Sequence, residues 1–65
     1  MELDKLRYLI DYWMKHNNEH AEIYMQWAKK ASMRGNEELS RILIKLCFES
    51  KRLNRLFDLA KKASS

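Results

Sequence analysis

Hydrophobic residues recur along this chain with the period of an α-helix, in two long runs separated by one break. In the first run Leu6, Trp13, His20 and Trp27 follow one another at seven-residue spacing. Leu9, His16 and Ile23 form a second row, and Ile10, Asn17, Tyr24 and Ala31 a third. These rows are the a, d and e positions of a heptad, the broad apolar stripe of a helix packed in a bundle. The second run repeats the scheme, with Leu39, Leu46, Leu53 and Ala60, then Ile42, Glu49, Leu56 and Ala63, then Leu43, Ser50 and Phe57.

The break is "SMRGNEEL", where Gly35 supplies the left-handed residue that ends a helix and Asn36 an N-cap for the next. Glu37 and Glu38 then occupy a first turn and Lys61 and Lys62 a last turn, each with the sign the helix dipole favours. The pattern predicts helix 1 over about residues 3–33, a turn at 34–36 and helix 2 over about 37–62, all in one domain spanning 1–65. Ser64 and Ser65 are expected to fray. So short a connection makes the helices antiparallel neighbours, and the fold class is all-α, an antiparallel helical hairpin. Tyr8, Tyr12, Met14, Met25, Ile44, Cys47, Phe48 and Leu59 fall outside the three rows, yet most are apolar. A lone hairpin would expose too much of this surface, so a homodimer closing into a four-helix bundle is expected.

Composition supports the helical class: 34% of residues are charged, with one glycine and no proline. No long uncharged apolar run is present, so no membrane span is expected. "MELDKLRYLI" lacks the basic region, apolar block and cleavage site of a secretory signal, and the single Cys47 has no internal disulfide partner. Together these point to the cytoplasm. The net charge of +4 is uneven: residues 1–34 carry six Lys/Arg and five Asp/Glu, residues 36–65 seven and four. Such a balance permits an acidic partner without demanding one.

Candidate chemistry lies at the middle of the apolar stripe, where His16, Asn17 and His20 on helix 1, and Glu49 and Ser50 on helix 2, interrupt it. In a hairpin turning near Gly35, residue i lies roughly level with residue 70 minus i, because both helices rise equally. His20 is then level with Ser50 and close to Glu49, and His16 lies opposite Leu53 and Asn54. If two hairpins pair antiparallel about that level, His16 of one approaches His20 of the other. Histidines at i and i+4 share a helical face and can chelate one ion, with Glu49 as the carboxylate. Asn17, Glu19 and Ser50 would orient these ligands by hydrogen bonds. Imidazole with carboxylate suits Zn, Ni, Co or Fe.

Two other readings fit the same residues. A His–Glu–Asn hydrogen-bond network could fix register and pairing without metal. Haem could be ligated by facing histidines, with Trp13, Tyr24 and Trp27 lining its pocket, although tryptophan at heptad spacing also simply fills cores. A ferritin-type di-iron centre is not expected, since neither histidine has a glutamate three residues before it. "HNNEH" matches the H-x-x-E-H pattern of inverted zinc peptidases, but a hairpin cannot build their further ligand and substrate cleft. Cys47 reads as a small packing residue. Arg41, Lys45, Arg52 and Arg55, with Phe48 among them, make a basic stripe suited to an acidic protein partner. It contains no recognised nucleic-acid motif, and Glu37–Arg41 and Asp58–Lys62 pairs would solvate it.

The block Trp13, His16, Asn17, Glu19, His20, Ala21, followed by Trp27 and Ala28, resembles a small family of helical proteins from anaerobic archaea and bacteria. Its members share the form W-x-x-H-N-x-E-H-A…W-A, a glycine-containing turn and a second amphipathic helix. The resemblance covers most of the chain and implies a helical hairpin and a role for His16 and His20. It attaches no activity. Some relatives carry histidine-rich extensions suited to metal handling, which this chain lacks.

Overall fold

The computed structural model describes residues 2–64 and consists of two α-helices, α1 over Glu2–Met33 and α2 over Glu37–Ala63. They pack along each other as a hairpin 51 Å long. The expected helix limits hold to within a residue, because the signals that end them are chemical rather than statistical. The Asn36 N–H donates to Ala31 O at 2.9 Å and the Gly35 N–H to Ser32 O at 2.9 Å, the paired bonds of a Schellman motif. That motif needs a left-handed residue at its fifth position, and Gly35 has φ +81°. Asn36 then caps α2: its side-chain oxygen accepts from the Leu39 N–H at 3.1 Å. Ser32 reaches across the turn to donate to Glu37 at 2.8 Å. At the far end Ser64 donates from its hydroxyl to Lys61 O and from its backbone N–H to Ala60 O. Ser64, expected to fray, therefore closes α2; Ser65 lies outside the described residues.

The seam between the helices differs from the expected one. Buried or half-buried residues of α1 are Arg7, Leu9, Ile10, Met14, Asn17, Ala21, Tyr24, Met25, Ala28 and Ala31; those of α2 are Ser40, Leu43, Ile44, Cys47, Ser50, Asn54 and Phe57. Of the three rows expected on each helix, one faces the partner helix: Ile10–Asn17–Tyr24–Ala31 on α1 and Leu43–Ser50–Phe57 on α2. The second seam row is Met14–Ala21–Ala28 against Ser40–Cys47–Asn54. The cause is size. Ala21, Ala28 and Cys47 are at most 1% exposed, and these small residues let the backbones approach closely. A tryptophan between helices at that separation would force them apart. The rows carrying Trp13, His20, Trp27, His16, Ile23, Leu39, Leu46, Leu53, Ile42, Glu49 and Leu56 are thus turned out of the seam and exposed.

Candidate functional site

His16 and His20 lie one turn apart on α1, their ring centroids 4.6 Å apart and tilted by 46°. The pair sits inside a longer ladder. Tyr12 stacks on His16 at 5.7 Å, and Tyr24 meets His20 edge-on at 6.3 Å. Each contact spans four residues, so the helix itself sets it, and the flanking tyrosines restrict the imidazole rotamers. Both histidines are exposed on the hairpin, and neither is drawn into the seam.

The seam has its own polar layer. Asn17 donates from its amide to the Ser50 carbonyl and to Asn54 Oδ1, the latter at 3.0 Å. Asn54 in turn donates to Asn18 Oδ1. Residue 17 was expected level with residue 53, and Ser50 and Asn54 bracket that level. The expected polar layer therefore splits in two. Asn17 and Ser50 meet inside the hairpin, with Asn18 and Asn54 as partners the pattern did not single out. His16, His20 and Glu49 remain on the outside. The missed signal was the row of small residues: aligning Ala21 and Ala28 with Ser40 and Cys47 places Asn54 in the seam. Glu49 accepts from Arg52 at 3.4 Å, and Glu19 is exposed. Among the described residues no three of His, Cys, Asp and Glu come together in a cluster able to hold a metal ion. One hairpin thus offers two imidazoles at i and i+4, and Glu49 does not join them within it.

The histidines stand in an apolar flank. Trp13 is 43% and Trp27 55% exposed, and Ile23, Leu39, Ile42, Leu46, Leu53 and Leu56 are exposed with them. These residues lie on the same side of the seam on both helices, since the handedness of the helix places the rows preceding the seam rows on one flank of an antiparallel pair. Trp27 and Leu39 line one groove at the turn end, together with Ala31 and Leu43. Lys30 covers Trp27, its Nζ 4.4 Å from the ring centroid. No histidine lines that groove. The opposite flank is ionic: Lys61 pairs with Asp11 at 2.8 Å and Lys51 with Glu22 at 3.9 Å. Cys47 is fully buried in the seam as a packing residue.

No helix of the described residues is long and apolar enough to cross a membrane. Neither the curated proteins nor the solved structures hold a match to this chain. A family model, described as a domain of unknown function (DUF8180), matches residues 6–64. That span takes in all but the first turn of α1, the turn, the whole of α2 and the His16–His20 ladder, and the chain belongs to the DUF8180 family.

Proposed function

We propose that this chain acts as a homodimeric four-helix bundle that binds a transition metal at the centre of its dimer interface, through His16 and His20 of both copies. The observation that carries the reading is the placement of the histidine pair at the middle of an exposed apolar flank. Two copies related by a two-fold axis near the level of residue 18 would cover that flank and bring His16 of one toward His20 of the other. Four imidazoles then meet where one hairpin supplies two, and a tetrahedral ion needs at least three protein ligands. Glu49 would offer a carboxylate from α2. The block from Trp13 to Ala21 is the motif we assign to this site. Zn, Ni, Co and Fe suit the donor set. Because the ion joins two chains, assembly would respond to metal, as a carrier, store or sensor requires.

The competing reading makes the histidines a polar layer that sets register between helices. Within the hairpin that task already falls to Asn17, Asn18, Asn54 and Ser50, which leaves the histidines free for another. Thermal unfolding of wild type and of His16→Ala/His20→Ala, with and without chelator, separates the two. The metal reading expects chelator to lower the wild-type midpoint and leave the double variant unmoved. A register role alone expects the double substitution to destabilise equally under both conditions. Haem added to the apo-protein provides a further arm, read as a bis-histidine Soret shift.

A further inference from the structure

We infer that the outer face of α2 is a docking surface for an acidic amphipathic protein segment. Arg41, Lys45, Phe48, Arg52 and Arg55 succeed one another at alternating spacings of four and three residues, so they form one continuous stripe along the helix. The stripe faces away from the buried Cys47 and hence from α1. Three of its cations, Arg41, Lys45 and Arg55, have no ion-pair partner among the described residues. Glu37 stands four residues before Arg41, where it could neutralise it, but Ser32 engages that carboxylate instead. Three of the stripe's four cations are therefore uncompensated around Phe48, which is 56% exposed, while Arg52 pairs with Glu49. An open groove runs beside the stripe from Phe48, with Arg52 and Arg55 at its rim, to Leu53 and Leu56, which belong to the flank that the proposed dimer covers.

Phe48 exposed within a basic stripe complements a helix that carries one or two large apolar residues flanked by Asp or Glu. A nucleic acid fits less well, because Phe48 is the one aromatic in the stripe and successive bases would need several rings to stack on. The cations steer the partner in, and Phe48 supplies the contact that survives salt.

The test is fluorescence anisotropy of the full chain with a labelled helical peptide of Glu, Ala and Leu. The same peptide with every Glu changed to Gln and a single-stranded oligothymidine serve as competing probes. The Glu peptide is expected to bind, to lose affinity with salt, and to bind Arg41→Glu/Arg55→Glu about tenfold or more weakly. Arg41→Gln/Arg55→Gln should give a smaller loss in the same direction, and keeps the test intact if charge reversal unfolds the helix by circular dichroism. Phe48→Ala should weaken binding several-fold at high salt, where steering is screened. His16→Ala/His20→Ala should bind the peptide as wild type does, which makes this face independent of the metal site. Equal binding of the Glu and Gln peptides, indifference to the arginine and Phe48 substitutions, or tighter binding of the oligothymidine would each overturn the assignment.

Discussion

Asn17 is the residue on which the interior of the hairpin turns. Its amide serves two acceptors on the facing helix, the Ser50 carbonyl and Asn54. Truncating it strands Asn54, half-buried and holding Asn18 alone. Asn17→Ala is therefore expected to cost about 1–3 kcal/mol in urea unfolding. Combining it with Asn54→Ala should show a coupling of about 0.5 kcal/mol or more in the double-mutant cycle. Simple additivity would mean that the network contributes nothing beyond its parts. The small residues make the opposite demand. Ala28→Leu should destabilise by about 1–3 kcal/mol, because the helices have no room for the added volume. An unchanged melting midpoint would show that the close approach is not needed. At this scale the sequence was half legible. Asn17 and Ser50 stood out as polar interruptions of an apolar row, and they do meet. Asn54 and Asn18 did not stand out, because an asparagine on a helix flanked by charges looks like surface. Nor did Ala21 and Ala28, since alanine carries little hydrophobic signal in a heptad crowded with leucine and tryptophan, whereas Cys47 read as a small packing residue and is one.

At the scale of the elements, the hairpin was legible because its turn rests on residues with few substitutes. Gly35 is left-handed, and a Cβ there would meet no atom within 4 Å. The cost of Gly35→Ala is thus torsional and not steric, about 1 kcal/mol, with the fold retained by circular dichroism. Asn36→Ala, which deprives Leu39 of its cap acceptor, should cost about 1 kcal/mol more in the double variant, read from the same urea midpoints. Which face of each helix meets the other was less legible. The apolar stripe is wide enough for two seams, and periodicity alone does not say which is used first. Inside the hairpin the close-packed row of Ala21, Ala28, Ser40 and Cys47 takes one. The bulky row of Trp13, Trp27, Leu39 and Leu46 is left to the other. A helix apolar across so much of its surface has more apolar area than one neighbour covers.

At the scale of the molecule, that second seam is the centre of the account. A 65-residue hairpin buries little surface of its own, so the proposed second copy would weigh heavily in its stability. Its melting midpoint is expected to rise with protein concentration, and Trp13→Glu or Leu46→Glu should abolish that dependence by placing a charge in the covered flank. A midpoint independent of concentration would leave the flank without a second copy. In the proposed assembly the histidines hold the ion, and a metal at 100 times its dissociation constant should then add about 2.7 kcal/mol to the assembled wild type. The measurement that tests the joined claim most directly is elemental analysis with light scattering on tag-free protein eluting from gel filtration. The protein is first incubated with Fe, Co, Ni and Zn, with His16→Ala/His20→Ala run beside it. The account predicts a wild-type dimer carrying stoichiometric metal and a double variant carrying none. A stable wild-type dimer that elutes free of metal, or metal retained by the variant, would contradict it.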